Sequence, residues 1–274
     1  MTAAVLGLVA AVLSALGAVR TKGLVGELPA RQLIGPLFLL NAVLVVPGAL
    51  LDPWVLDGRV LVLHVASIAC MALSTLAVFT LFQHGSASAT TTAVAISPIP
   101  AMVAAALLLD EHPEPLRVAA AGVVVVAVLA ALPGSFATLA RGPAVVAVAG
   151  AAVGNGVLTV LSAELVAAGA GTFEIYLVRT LACGLVFAAL VPPRDIPWRR
   201  LPALGGRALL VSGHFLAILF AVRHGSPVVV QTMVATAPLV ALGIEHAAGS
   251  DRAGPRALVC GTLALVGVAA VVAG

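Results

Sequence analysis

Charged residues are scarce in this sequence: Asp, Glu, Lys and Arg make up only 9% of its 274 residues. A soluble globular domain carries about 25% charged residues, so a soluble protein of this length could not cover its surface with so few. Apolar residues reach 62%, and the mean hydropathy is +1.19. The composition therefore excludes an ordinary soluble domain and indicates an integral membrane protein.

Cysteines and recognisable catalytic motifs are also few. Cys70, Cys183 and Cys260 each fall inside an apolar run without partner spacing, so neither a disulfide framework nor a metal site is predicted. No phosphate-binding loop, zinc motif or nucleophile elbow occurs, which excludes an ATP-driven pump for this chain alone and leaves no cofactor to predict. The net charge is +3, but the arginines stand between apolar runs. They are interpreted as topology signals, and no nucleic-acid partner is expected.

The apolar runs are long and continuous, which predicts helices rather than the alternating segments of about ten residues that form membrane barrels. A membrane-spanning helix needs about 20 mainly apolar residues. Candidate spans cover approximately residues 3–19, 33–51, 60–81, 87–109, 116–133, 143–163, 173–191, 205–222, 227–246 and 255–273. Arg20 and Lys22 follow the first run instead of preceding it, so this run is predicted to be a retained span rather than a signal peptide.

Parts of the sequence occur twice. HGSASATTTAVAISP at residues 84–98 matches HGSPVVVQTMVATAP at residues 224–238, with a constant offset of 140. Two weaker matches keep the same order. They pair RVAAAG (117–122) with RALVCG (256–261), and Leu13-Ser14-Ala15 with Arg31 against Leu161-Ser162-Ala163 with Arg179.

These matches predict two homologous five-helix halves, residues 1–138 and 139–274. A repeated unit with an odd number of spans must lie upside down relative to its copy, and this arrangement recurs in secondary transporters. The predicted fold is an all-α integral membrane protein with ten transmembrane helices, arranged as two inverted five-helix repeats. The substrate is then expected near the membrane midplane, where the halves meet.

The end of the first half, HGSASATTTAVAISPIPAMVAAALLLDEHPEPLRVAAAGVVVV, resembles the EamA-type repeats of the drug/metabolite transporter superfamily. In that family a hydroxyl-rich helix with a proline is followed by an acidic turn and a glycine-containing helix, and Asp110 and Glu111 match the acidic turn. The second copy departs from this pattern, because only Asp251 lies near that place. The resemblance covers essentially the whole chain. It implies a ten-helix transporter of small solutes, with a slight preference for export, and specifies no particular solute.

The hydroxyl-rich fourth span and the ninth span, which repeats it, are the first candidates for a binding site. Hydroxyls in membrane helices can bond between helices or to backbone groups that a proline leaves free, and each span contains such a proline, Pro98 or Pro238. They can equally line a cavity and contact a solute, and their recurrence in both halves supports that role. The candidate solute-binding residues in these spans are Thr91, Ser97, Gln231, Thr232 and Thr236.

Three further candidates are polar groups inside other predicted spans. Asn155 lies in the middle of the sixth span, where an amide needs a partner, so packing and binding are both open. His214 lies deep in the eighth span and is a functional candidate by default, whereas His64 is expected at the membrane interface. Arg179 corresponds to Arg31 in the repeat, so it is either an interfacial anchor or, inside a cavity, a clamp for an anionic substrate.

Basic residues between the spans predict the orientation, because Lys and Arg favour cytoplasmic loops. The loops after odd-numbered spans hold Arg20, Lys22, Arg31, Arg141, Arg194, Arg199, Arg200, Arg207, Arg252 and Arg256. The loops after even-numbered spans hold Arg59, Arg117 and Arg223. This distribution predicts that both termini lie outside the cell, although the resembled family more often has both in the cytoplasm.

Together these features predict a secondary transporter, not an enzyme, that moves a small solute across the cytoplasmic membrane by alternating access. Its expected partners are the solute and the lipid bilayer, and it is expected as a monomer or a homodimer. One alternative is a membrane-embedded enzyme that uses Asp110, Glu111, His112 and Glu114 as acid and base groups. A tight solvated turn is the preferred interpretation of that cluster. Another alternative is an assembly protein that does not transport.

Overall fold

The computed structural model describes residues 1–111, 114–131, 143–194, 196–248 and 255–273, and within these ranges all regular structure is helical. The helices are α1 (Thr2–Glu27), α2 (Ala30–Ala49), α3 (Gly58–His84), α4 (Ala87–Val94), α5 (Pro98–Leu108), α6 (Pro115–Ala131), α7 (Pro143–Ala167), α8 (Thr172–Leu190), α9 (Leu201–Val222), α10 (Pro227–Val234), α11 (Ala237–Ala247) and α12 (Pro255–Ala273). A 3-10 turn at Trp198–Arg200 precedes α9. The predicted boundary between residues 138 and 139 lies outside the described residues, as do His112, Arg141, Asp251 and Arg252.

Eight segments of the described chain are long and apolar enough to cross a membrane. Six are single helices, and two are helix pairs, α4 with α5 and α10 with α11. Two shorter apolar helices, α6 and the Val259–Val271 part of α12, coincide with the remaining predicted spans. Each apolar run of the sequence thus corresponds to a helix or a helix pair, and the chain is a multi-pass helical membrane protein.

Both helix pairs are interrupted at the same point of the repeated sequence. α4 ends at Val94 and α5 begins at Pro98, while α10 ends at Val234 and α11 begins one residue before Pro238. Pro98 has no N–H to offer the Val94 carbonyl, and the backbone N–H of Ser97 donates to this carbonyl instead, at 2.9 Å. A backbone N–H therefore satisfies the Val94 carbonyl. The hypothesis that a side-chain hydroxyl does so is wrong at this position.

The threonine hydroxyls of these helices donate to carbonyls one turn earlier in the same helix. Thr91 donates to the Ala87 carbonyl at 3.0 Å, and Thr232 donates to the Val228 carbonyl at 2.8 Å. A hydroxyl oxygen that has donated its proton still has acceptor lone pairs. Such a hydroxyl on a cavity wall therefore presents an acceptor to a solute.

The long helices pack in pairs that join distant parts of the chain. The principal pairs are α1 with α9, α2 with α8, α3 with α7, and α6 with α12. In addition, α4 packs on α11 and α5 packs on α10. Since the first part of one interrupted span contacts the second part of the other, the two spans run in opposite directions and their breaks meet within the bundle.

Glycines bring several of these pairs close together. A Cβ atom added at Gly35 of α2 would lie 2.8 Å from the backbone nitrogen of Ala188 in α8. Gly150 and Gly154 of α7 face α3, and a Cβ at Gly154 would lie 2.8 Å from the Cβ of Ser74. Small residues at these positions let membrane helices gain van der Waals contact along their length.

Candidate functional site: a central cavity

A cavity of about 110 Å³ lies among α1, α3, α4, α7 and α9. Its polar lining consists of hydroxyls, one amide, one imidazole and one guanidinium. These groups belong to Ser14, Thr21, Ser74, Thr75, Thr90, Thr91, Asn155, Arg207 and His214. Valines and phenylalanines from the same helices form most of the remaining wall, and no carboxylate belongs to the described lining.

The cavity lies toward one end of the bundle. Its walls include Thr21 near the end of α1, Phe82 near the end of α3 and Arg207 near the start of α9. We call this the basic end, because the described residues Arg20, Lys22, Arg31, Arg199 and Arg200 belong to the chain segments there. The other end carries the α2–α3 and α9–α10 connections and is called the opposite end.

Close packing replaces the cavity toward the opposite end. A Cβ added at Gly156 of α7 would lie 2.6 Å from the Ser97 carbonyl oxygen, at the break between α4 and α5. A Cβ added at Gly7 of α1 would lie 2.7 Å from the Cβ of Met233 in α10. These contacts bring α7 against α5 and α1 against α10, so helix packing closes the bundle on this side of the cavity.

The structure brings three of the sequence-predicted residues, Thr91, Asn155 and His214, to the cavity wall. The Asn155 side-chain nitrogen donates to the Ser74 hydroxyl at 2.5 Å and to the Ala151 carbonyl at 2.9 Å. These bonds hold the amide in one orientation, and no described residue donates to its oxygen. Asn155 therefore packs against α3 and offers an acceptor to the cavity at the same time.

The His214 ring is oriented by a single backbone contact. Its Nδ1 lies 2.8 Å from the Ala10 carbonyl oxygen, and a carbonyl oxygen can only accept a hydrogen bond. Nδ1 therefore carries a proton, and in the neutral ring Nε2 is left as an acceptor. Phe215 packs against the imidazole with the two ring centroids 4.8 Å apart.

Gln231 and Ser97 do not line the cavity but join the two interrupted spans. The Ser97 hydroxyl donates to the Gln231 side-chain oxygen at 2.9 Å. The Gln231 nitrogen donates to the Asn155 carbonyl at 3.0 Å and also to the Thr159 hydroxyl. Since Ser97 and Gln231 are both buried, this network connects the break after α4, helix α7 and helix α10 at one point.

Thr232 and Thr236 are likewise buried outside the cavity lining. The Thr236 hydroxyl donates to the Met233 carbonyl at 2.7 Å, at the break between α10 and α11. Their predicted contact with a solute therefore requires the helices around the break to move apart.

Arg207 is a cavity residue that was counted with the loop arginines for the orientation, although the predicted span 205–222 includes it. Helix α9 begins at Leu201, so Arg207 lies about 9 Å along the helix axis from its start. Its Nε donates to the Thr21 hydroxyl at 3.0 Å, and its guanidinium carbon lies 5.9 Å from the centroid of the Phe79 ring. The apolar stretch LPAL immediately before Gly205 was the signal that the span begins earlier than residue 205.

Arg179 is buried in a second polar cluster, away from the described cavity lining. It is 1% exposed; its Nε donates to the Ser67 hydroxyl at 2.9 Å and its Nη1 to the Ser162 hydroxyl at 2.8 Å. Nearby, His64 Nε2 lies 3.6 Å from the buried Glu174 carboxylate. His64 and Arg179 each lie more than a turn inside a helix and face other helices, so neither side chain lies on the exposed surface of the bundle.

Arg31 and Arg179, which the repeat pairs in sequence, lie at different positions in their helices. Arg31 is the second residue of α2, whereas Arg179 is the eighth residue of α8. The two side chains therefore occupy different depths, and the exposed Arg31 gives no guide to the role of Arg179.

The acidic cluster that suggested an enzyme lies in the connection after α5. Asp110 adopts a left-handed backbone conformation, with φ of 52°, and the Glu111 N–H donates to the Ala105 carbonyl at 3.2 Å. At Asp110 and Glu111 the described backbone is therefore a turn, as preferred from the sequence. In the part of the chain that the structure describes, no group of three His, Cys, Asp or Glu residues could hold a metal ion.

A multi-pass helical bundle whose interrupted helices meet beside a small polar cavity has the architecture of a membrane transporter. The chain belongs to the EamA-like transporter family, whose model matches residues 1–132 and 142–273. This match confirms the resemblance to the drug/metabolite transporter superfamily and identifies the protein as a transporter of that general type. By sequence, no curated protein matches the chain.

Solved structures share the fold. One, titled "Crystal structure of protein", superimposes with a TM-score of 0.76 at 18% sequence identity. The similarity covers 98% of this chain and 96% of that chain. At this level of identity the similarity concerns the arrangement of helices alone.

Proposed function

We propose that the protein is a secondary transporter of the cytoplasmic membrane that carries a small solute through the central cavity by alternating access. The observation that supports this most directly is the cavity itself, which has polar groups in its wall, borders the first part of one interrupted span, α4, and is closed by helix packing on one side. Thr91, Asn155 and His214 then contact the solute. Gln231, Ser97, Thr232 and Thr236 form the region that rearranges when the closed side opens.

We further propose that the two halves are inverted copies, which would give the cavity two related gates. The two separate segments matched by the family model support this. If the two halves are exchanged, α1 takes the place of α7 and α9 takes the place of α3, so the α1–α9 pair becomes the α7–α3 pair. The α2–α8 and α6–α12 pairs each map onto themselves. All of these pairs are present in the structure.

Two ion pairs are also related to each other by the exchange of the halves. Arg59 at the start of α3 pairs with Glu164 near the end of α7, at 2.5 Å, on the opposite end. Arg200 at the start of α9 pairs with Glu27 at the end of α1, at 2.6 Å, on the basic end. Related ion pairs at the two ends are the arrangement expected of inverted halves.

The proposed orientation places the basic end in the cytoplasm, because basic residues favour that side. The cavity of this conformer would then be nearer the cytoplasm, and both termini would lie outside the cell. The segments after even-numbered spans hold fewer basic residues, namely Arg59, Arg117 and Arg223. This smaller number is expected for the outer side.

The experiment that tests the function is counterflow into proteoliposomes that contain the purified full-length chain. Liposomes preloaded with members of a panel of amino acids, organic acids, sugars and amines are diluted into the labelled form of each compound. Accumulation above protein-free liposomes is expected for at least one class. A variant with Gln231→Leu should lose most of this accumulation, whereas the double variant Asp110→Asn, Glu111→Gln should retain it. No exchange with any class would contradict the proposal, and loss of exchange in the double variant would favour the enzyme alternative.

A further inference from the structure

We propose that the central cavity selects small organic carboxylates with an apolar body, and that Arg207 is the residue that binds the carboxylate. This inference rests on the proposed function, because it names the class of solute that the transporter accepts. Arg207 was not among the site residues predicted from the sequence. The inference follows from the charge, the hydrogen bonds and the lining of the cavity.

Arg207 gives the cavity a positive charge. Among the described lining residues, Arg207 is the only one with a permanent charge, and no described carboxylate pairs with it. A cation held in an apolar bundle without a counter-ion is costly. A bound carboxylate would bring that counter-ion into the cavity, whereas a cationic solute would add a second positive charge.

The contacts of Arg207 leave the end of its guanidinium without a protein partner among the described residues. The Thr21 hydroxyl donates to the Gly17 carbonyl at 2.7 Å, so its oxygen is oriented to accept from Arg207 Nε at 3.0 Å. The Phe79 ring lies beside the guanidinium, with 5.9 Å between the ring centroid and the guanidinium carbon. Only the Nε atom makes a hydrogen bond to a described residue, and the two terminal nitrogens are thus available to take a carboxylate in the bidentate manner typical of arginine.

The rest of the cavity wall is mainly apolar. Phe79, Phe82 and Phe215, together with Val78 and Val211, line the same cavity as Arg207. A volume of about 110 Å³ has room for roughly seven to eleven water-sized groups at about 10–15 Å³ each. A solute of that size with one carboxylate and an apolar remainder would match both parts of the wall.

Binding to the purified full-length chain in detergent, measured by calorimetry, tests this inference separately from transport. The probes are acetate, butyrate, benzoate and phenylacetate, each compared with its neutral amide, and benzylamine as a cation of similar size. At least one carboxylate should bind, and its amide should bind about 10-fold or more weakly, since a hydrogen bond to a charged group contributes about 1.5–3 kcal/mol. Benzylamine should bind more weakly still.

Arg207→Gln should weaken binding of the preferred carboxylate by about 10- to 100-fold while leaving binding of its amide within about twofold. Arg207→Lys should retain part of the preference, because the charge remains but the bidentate geometry is lost. Arg20→Gln is the matched control, since Arg20 is exposed at the same end of the bundle, and it should leave all affinities unchanged. The thermal unfolding midpoint of each variant shows whether it is folded.

The outcomes separate the two proposals. If every carboxylate binds no better than its amide in the unsubstituted protein, the inference is overturned whether or not the variants fold. If neutral solutes exchange in proteoliposomes while carboxylates neither bind nor exchange, the transporter proposal stands and the carboxylate site fails. If carboxylates bind through Arg207 but no solute of any class exchanges, the binding site stands and the transporter proposal fails.

Discussion

The two ends of the bundle use the same types of helix but pack them differently. At the basic end, α1, α3, α4 and α9 surround a polar cavity. On the other side of the cavity, from the level of the breaks toward the opposite end, α7 is in close contact with α5 at Gly156 and α1 with α10 at Gly7. Each end nevertheless carries one ion pair between the start of one helix and the end of another, Arg200–Glu27 or Arg59–Glu164.

The ion pairs therefore do not by themselves account for the position of the cavity. Both pairs are formed, whereas close contacts between helices near the breaks lie on one side of the cavity. If the halves are inverted copies, as proposed, the structure is one of two conformers in which the halves exchange roles. The predictions below change the contacts of one end and compare the result with the other end.

The largest effect is expected from Gly156→Ala. The new Cβ would lie 2.6 Å from the Ser97 carbonyl oxygen and 2.9 Å from the Ala101 nitrogen, and backbone atoms cannot move aside cheaply. We expect a loss of about 2–3 kcal/mol in the free energy of unfolding, measured by titration of the purified protein with a denaturing detergent. Gly243→Ala is the control, because no heavy atom lies within 4 Å of its added Cβ. Equal stability of the two variants would show that the opposite end is not tightly closed.

Gln231→Leu is expected to have the next largest effect. It removes the donors to Asn155 and Thr159 and the acceptor for Ser97, so buried polar groups lose their partner at a cost of about 2 kcal/mol. The control is Thr232→Val, whose hydroxyl bonds only within its own helix, with an expected cost below about 1 kcal/mol. A double-mutant cycle with Ser97→Ala should give a coupling above about 0.5 kcal/mol, and strictly additive effects would refute the direct link.

Arg179→Met should change the free energy of unfolding by less than about 1 kcal/mol. The substitution leaves the hydroxyls of Ser67 and Ser162 bonded to the carbonyls of His64 and Leu158, at 2.8 and 2.7 Å, and it removes a buried charge. A loss above about 2 kcal/mol would mean that the guanidinium stabilises the opposite end. The same variant tests the predicted solute contact of Arg179, because unchanged counterflow would contradict that role.

The smallest effects on stability are expected from Arg59→Gln and Arg200→Gln. Arg59 is 70% exposed and Arg200 is 39% exposed, and exposed ion pairs contribute less than about 1 kcal/mol. Their effect on accessibility should differ between the ends. With Ser14→Cys on the cavity wall in a cysteine-free background, a membrane-impermeant maleimide should label from the basic end, and Arg59→Gln should increase labelling from the opposite end. If Arg200→Gln increased labelling from the opposite end by the same amount, the two ion pairs would not differ in their effect on accessibility.

The positions of the spans could be predicted because hydrophobic length is a property of the local sequence. A helix that crosses the membrane must satisfy its own backbone, so a long apolar run has few alternatives. The interruption before Pro98 and Pro238 follows from the missing N–H of proline and could be predicted in the same way. The predicted start of α9, residue 205, is four residues later than its start at Leu201, so Arg207 stood only two residues inside the predicted span and was counted with the loops.

The contacts of the polar side chains could not be predicted in the same way. Gln231 was expected to face a solute but bonds to Ser97, Thr159 and the Asn155 backbone. His64 was expected at the interface but lies beside Glu174. In both cases the partner is on another helix, and the rotation of that helix depends on packing across the whole bundle.

The amino-acid sequence by itself determined that this chain crosses the membrane many times and where its helices break, because length, hydropathy and proline act locally. Only the tertiary structure decided toward which end of the bundle the cavity lies and which charged group lies in it. The reason is that helices in lipid associate through close packing and interhelical hydrogen bonds, and these depend on pairs of residues far apart in the chain. Arg207 illustrates both parts, since its charge is read from the sequence and its place beside Thr21 and Phe79 comes from the fold.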